Sequence, residues 1–133
     1  MILPVDKFTA FRIREADGKI SSGFEELDLT ELDPGEVLIR VAYSSINYKD
    51  ALAATGAGTI IRRFPCIGGI DMAGTVLESA DRRYAPGASV IATSFDLGVS
   101  HDGGYSEYAR VPAAWIVPLP QGMSLFESMA QGT

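Results

Sequence analysis

Between residues 37 and 44, Val37, Ile39, Val41 and Tyr43 alternate with Leu38, Arg40, Ala42 and Ser44. This period of two predicts a β-strand with one strongly apolar face and one mixed face. A shorter alternation, Phe11 and Ile13 against Arg12 and Arg14, predicts a strand over Phe8–Arg14 and a hairpin through the turn Ala16-Asp17-Gly18-Lys19. The following run, Ile20 to Leu29, is acidic and spaces its apolar groups unevenly. At Asp33-Pro34-Gly35-Glu36 proline presets φ and glycine accepts positive φ, so a turn is expected. Further strands are read at Ile70–Leu77, Ser89–Thr93, Tyr105–Val111 and Ala114–Val117, each bounded by Gly or Pro. Many short strands at this spacing predict a mainly β domain with short helices, built as a small barrel or a sandwich.

Two places change the period. Asn47 stands where the first strand pattern stops and is a helix N-cap candidate, with Asp50 favourably placed near the positive end of the helix dipole and Gly56 and Gly58 as stops. Ser124-Leu125-Phe126-Glu127 has the form of a capping box, predicting a helix from about residue 125. With only about two turns before Thr133, such a helix is marginal alone. The pattern is therefore read as a domain over residues 1–123, with 124–133 beginning a helix into a further domain; a short terminal helix ended by Gly132 is the alternative reading.

Composition narrows the function. The 133 residues, 47% apolar, suffice for one core. A net charge of −6 argues against sequence-independent nucleic-acid binding, which needs clustered Lys and Arg. The charge is uneven: residues 1–36 hold nine acids against four bases, a balance of −5, whereas Arg40, Lys49, Arg62 and Arg63 against Asp50 give residues 40–63 a balance of +3. The one cysteine, Cys66, permits no intrachain disulfide, fits a reducing cytoplasm and reads as a small buried apolar residue. No basic n-region precedes a long apolar run, and no stretch reaches the roughly 20 apolar residues of a membrane-spanning helix. A soluble protein without a membrane partner is expected.

Much chemistry is disfavoured by residue type. The one histidine, His101, has no nucleophile elbow beside it and reads as a loop residue. One Cys and one His do not make a zinc site, which takes three or four such ligands. No Walker loop or Gly-x-Gly-x-x-Gly is present, and the doublets Gly68-Gly69 and Gly103-Gly104 read as turns. Asn47, Tyr48, Lys49 and Asp50, beside Arg62 and Arg63, remain. A phenol and a carboxamide at a strand-to-helix junction could donate to an anion developing on a substrate oxygen, and the arginines could hold a phosphate or carboxylate. A capped surface helix with a solvated basic flank explains the same residues.

Taken in order, Ser45-Ile46-Asn47-Tyr48-Lys49-Asp50, Ile61-Arg62-Arg63-Phe64-Pro65, Gly69-Ile70-Asp71-Met72-Ala73-Gly74-Thr75-Val76, Gly103-Gly104-Tyr105-Ser106-Glu107-Tyr108-Ala109 and Pro118-Leu119-Pro120-Gln121-Gly122 resemble successive motifs of the medium-chain dehydrogenase/reductase superfamily. The match is to its zinc-independent branch of acryloyl-coenzyme A reductases and related quinone oxidoreductases, and it spans nearly the whole chain. The resemblance implies an N-terminal GroES-like β-barrel, the catalytic domain, with the NADPH-binding Rossmann domain outside these residues. In zinc-dependent relatives a cysteine ligand lies near the position of Ser45, and a histidine-glutamate pair follows glycine where this chain has Gly69-Ile70-Asp71. The resemblance therefore implies no metal.

For a complete enzyme it implies NADPH-dependent reduction of an activated carbon–carbon double bond, with a coenzyme A thioester or a quinone as the small-molecule substrate. Asn47 and Tyr48 are implied to face nicotinamide and substrate, with Tyr48 the hydrogen-bond or proton donor. Asp50 would orient the loop, Arg62 and Arg63 would meet the coenzyme A phosphates or a neighbouring domain, and Thr133 would approach the cofactor. These residues alone would not turn over, and a homodimer is left open. The competing expectation is a free-standing GroES-like binding or assembly module without catalysis.

Overall fold

The computed structural model describes residues 7–131. Strands β1 (Phe8–Ala16) and β2 (Lys19–Leu27) form a nine-pair antiparallel hairpin. Its two-residue loop, Asp17-Gly18, has both φ angles positive, the type I′ geometry whose twist suits a hairpin. The acidic Ile20–Leu27 run is thus a full strand. Its apolar spacing is uneven because most of it is exposed, at the edge of a sheet ordered β2-β1-β4, where β4 is Cys66–Ile67.

The second sheet, of five strands, is ordered β7-β3-β5-β6-β8 and comprises β3 (Val37–Tyr43), β5 (Asp71–Ser79), β6 (Ser89–Thr93), β7 (Tyr108–Val111) and β8 (Ile116–Pro118). Every pairing is antiparallel. The strands divide into two hydrogen-bonded sheets, bound to each other by residues 103–107. Tyr105 O accepts Phe11 N–H at 2.7 Å, Thr9 O accepts Glu107 N–H at 3.1 Å, and Glu107 O accepts Val41 N–H at 2.9 Å. This use of the backbone by both sheets explains why the strand expected over 105–111 begins only at Tyr108. Likewise, Ala113–Trp115 forms a 3-10 turn, so β8 starts at Ile116 rather than Ala114.

One apolar cluster gathers Val37, Ile39, Met72, Val76, Val90 and Val111 on one face of the large sheet. A second gathers Phe8, Leu27, Leu38, Ile67 and Tyr108. The mixed face of β3 is therefore buried at Leu38, because the small sheet covers it. At the other end, the β3–β5 ladder shifts register after Val41, and Tyr43 leaves the core to meet Phe126 edge-on at 5.4 Å.

Helix α1 (Tyr48–Thr55) starts at Asn47 and ends at Gly56, and α2 (Leu125–Ala130) starts at the expected Ser124 box. Ser124 Oγ accepts Glu127 N–H at 3.0 Å and Glu127 Oε1 accepts Ser124 N–H at 2.9 Å. Helix α2 buries Ser128 and Met129 and packs on β3, β5 and β6. Among the described residues, no helix is long and apolar enough to cross a membrane.

Candidate active site

Strand β3 runs out at Tyr43, and residues 44–47 bridge to α1 across the start of β5. This short path brings Ser44, Ser45 and Asn47 together with Asp50 and Asp71. Ser44 Oγ donates to Asp71 O at 2.7 Å, and Ser45 Oγ donates to Asp71 Oδ2 at 2.6 Å. Asn47 Nδ2 lies within 3.0 Å of Ser45 Oγ and 3.2 Å of both Asp50 Oδ2 and Asp71 Oδ2. Asp50 also accepts two backbone donors: Asn47 N–H at 2.9 Å, closing the helix start, and Ile70 N–H at 3.0 Å. Both carboxyl groups are buried, Asp50 4% exposed and Asp71 1%. Buried carboxylates require such donors, because desolvation without them costs several kcal/mol.

The sequence leaves Asp71 and Tyr105 outside the candidate set, and the structure brings both in. Tyr105 Oη donates to Ser45 O at 2.8 Å, from 60 residues along the chain. Burial pushes the Tyr105 phenol up from its ordinary value, and the neighbouring charge of Asp50 adds to that. The phenol is thus a neutral donor. The one available signal was the entry of Tyr105 through Gly103-Gly104: a Cβ on Gly103 would lie 2.0 Å from Gly69 O, so the two glycine doublets are packed backbone on backbone rather than being separate turns.

The other candidates separate. Tyr48, the first residue of α1, is 80% exposed. Asn47 faces inward, its amide nitrogen shared among three acceptors, so the outward hydrogen bond expected from it meets strong competition. Asp50 holds the loop to β5. Arg62 is exposed, without an ion pair among the described residues. Arg63, expected beside it at a phosphate, is drawn into the fold instead. Its guanidinium donates to Asp33 Oδ2 and to Ser100 O at 2.9 Å, and lies 3.5 Å from Asp102 Oδ1. Asp102, nearly buried, also accepts Ile67 N–H at 3.0 Å. Burial pushes its carboxyl up, and the Ile67 N–H pulls it back. Thr133 lies outside the described residues.

His101 contacts Asp102 O and Pro34 O, each at 3.0 Å, and packs edge-on against Trp115, a loop role. Cys66 is fully buried, and burial pushes its thiol up to about 12. Among the described residues, no three His, Cys, Asp or Glu side chains are grouped to hold a metal. Ser45 and Ile70, at the positions compared with zinc ligands, instead serve Asp71 and Asp50 as donors.

Beside this network, a groove of about 550 Å³ opens between α1 and the β1–β2 hairpin. Asp50 and Tyr105 belong to both.

Three comparisons bear on this geometry. The chain is similar to the acrylyl-CoA reductase AcuI of Ruegeria pomeroyi, 46% identical over 119 residues, which is 90% of this chain and 36% of AcuI. It superposes on the crystal structure of Escherichia coli K-12 YhdH with bound NADPH with a TM-score of 0.88 at 46% identity, covering 90% of this chain and 37% of that one. It also superposes on Bacillus subtilis YhfP with NAD bound with a TM-score of 0.91 at 51% identity, covering 95% and 38%. The chain thus spans well under half the length of these relatives. Residues 33–121 match the alcohol dehydrogenase GroES-like domain, from the segment before β3 to just beyond β8, and the chain belongs to that family of the medium-chain dehydrogenases and reductases.

Proposed function

We propose that this chain is the catalytic-domain portion of a zinc-independent, NADPH-dependent reductase of activated carbon–carbon double bonds, acting on an acryloyl-coenzyme A type thioester or, by the same chemistry, a quinone. The observation that carries this reading is the buried Ser45–Asn47–Asp50–Asp71 network, which fixes the loop that presents exposed Tyr48. The likeness to AcuI and to the NADPH-bound YhdH supports it. On this reading, the segment from Ser124 onward leads into the domain that binds most of the cofactor.

When bound, NADPH would supply the hydride that the β-carbon of the conjugated carbonyl accepts. The double-bond electron pair then moves toward the carbonyl oxygen, giving an enolate, and a proton arrives at the α-carbon. In this chain Tyr48 is the group that meets the developing oxygen charge as a hydrogen-bond or proton donor. Preorganised donors of this kind are worth a few kcal/mol in the transition state. Asn47 is a positioning residue that also borders the nicotinamide side, and Asp50 supports it from beneath. Arg62 meets the coenzyme A phosphates, with Arg63 behind it as a strut. The reaction belongs in the cytoplasm, which the single free, buried Cys66 supports.

The test is NADPH oxidation by the longest natural form of the protein with acryloyl-coenzyme A, with NADH and a benzoquinone as comparisons. Tyr48→Phe is expected to lower kcat by roughly 10²-fold, as for loss of one oxyanion donor, while the Kd for NADPH changes less than threefold. Unchanged kcat would remove Tyr48 from the chemistry. Absence of turnover with either substrate would favour a binding module.

A further inference from the structure

The groove beside the polar network has walls of different kinds. On one side Phe24, Phe11 and Tyr105 form an aromatic row, with Phe11 edge-on to both neighbours at 5.4 and 6.2 Å. On the other, α1 offers the small side chains of Ala51 and Ala54, with Ile46 at the corner. Phe24 is 77% exposed and Ile46 88%, unusually open for large apolar groups gathered around one concavity. A volume of about 550 Å³ is in the range of small-molecule sites. The charged residues among its lining, Asp50 and Glu107, are both acidic. A phosphate or carboxylate is therefore repelled from it, and the basic Arg62 is not part of its lining.

We infer that this groove receives the uncharged, apolar acyl substituent of the substrate, and that it sets a preference for acyl groups longer than the three carbons of acryloyl. The inference rests on the proposed reduction of a conjugated thioester and deepens it by naming the substrate class. Asp50 and Tyr105, which line the groove, also hold the 44–47 loop, and that loop leads directly into Tyr48 at the start of α1. An alkyl chain lying between the aromatic row and the two alanines removes apolar surface from water on both of its sides. Each buried methylene is worth about 0.8 kcal/mol, hence about fourfold in affinity.

The experiment follows backbone amide shifts of the protein during titration with propionyl, butyryl and hexanoyl thioesters of N-acetylcysteamine. A fourth probe is the adipoyl half-thioester, which carries a terminal carboxylate. Shifts are expected at residues 11, 24, 51, 54 and 106, with Kd falling about fourfold per methylene and the carboxylate probe binding at least tenfold more weakly than hexanoyl. Ala51→Phe, which fills the groove from the exposed face of α1, and Phe24→Ala, which removes an exposed wall, should each flatten the dependence on length. Neither touches the buried core.

A Kd independent of acyl length, or a dependence retained in both variants, would overturn the inference. So would unshifted groove amides with every probe, which would assign the groove to a protein segment. Acryloyl-coenzyme A reduction by the longest natural form is read separately. No turnover together with length-dependent binding overturns the proposed activity and leaves the groove, whereas turnover with length-independent binding overturns the groove alone.

Discussion

At the scale of single residues, the site depends on donors that reach buried acceptors. Tyr105 is the clearest case, a neutral phenol held on Ser45 O. Tyr105→Phe keeps the ring against Phe11 and removes one hydrogen bond, so the urea midpoint at pH 7 should fall by the equivalent of about 1 kcal/mol at unchanged m. The pH dependence has a definite sign. The folded phenol titrates above its unfolded value near 10, so its stabilisation is complete below about pH 10 and is lost as pH rises toward the folded value. The gap between wild type and Tyr105→Phe should therefore narrow between pH 9 and 11, and a gap that stays constant would show that the phenol ionises normally. Tyr105 was absent from the candidates because a tyrosine in a strand-like run carries no local mark of what its hydroxyl will meet.

At the scale of elements, local signals were legible where the forces are local. Asn47 at the helix start, Gly56 at its end and the Ser124–Glu127 box all stand where the pattern put them, because capping involves neighbours three or four residues apart. The hairpin turn announced a strand after Lys19, but the extent of β2 to Leu27 was illegible because only Leu27 is fully buried along it. The Gly103-Gly104 segment was illegible for another reason: its constraint comes from Gly69, more than thirty residues away. Gly103→Ala would press a methyl group onto the carbonyl oxygens of Gly68 and Gly69, which are backbone atoms with little room to retreat. It should cost about 3 kcal/mol or more, whereas Gly23→Ala on β2, where a Cβ meets nothing within 4 Å, should change stability by no more than about 0.5 kcal/mol. Thermal unfolding of the two variants side by side checks the contrast.

At the scale of the whole molecule, the uneven charge resolves into ties between distant segments. Arg63 joins the Asp33 segment, the entry to β4 and the Ser100–Asp102 segment. Arg63→Ala would leave Asp33 and the nearly buried Asp102 facing each other without their cation. A loss of about 2 kcal/mol is expected, below the range for fully buried pairs because the Arg63 side chain is partly exposed. Without the cation the Asp102 carboxyl moves further up. Its protonation in the folded state then offsets the loss in acid, and the deficit should be larger at pH 7 than at pH 5. Urea denaturation at the two pH values tests this, and equal deficits would mean that Asp102 does not carry the effect.

By themselves, the residues determined the strand periods, the helix caps, the hairpin turn at Asp17-Gly18 and the motifs that resemble the dehydrogenase superfamily. All of these are written in side-chain types a few positions apart. The path at Pro34-Gly35 is not among them: it forms no turn, and Gly35 instead admits the Val111 backbone. The tertiary structure decided which polar groups share a site. It carried Asp71 and Tyr105 to the Ser45–Asn47 loop, turned the Asn47 amide inward, took Arg63 for the fold and left Tyr48 at the surface. It also opened the apolar groove between α1 and the first hairpin. Each of these outcomes depends on strand order and on contacts 20 to 60 residues apart along the chain, and no local pattern encodes them.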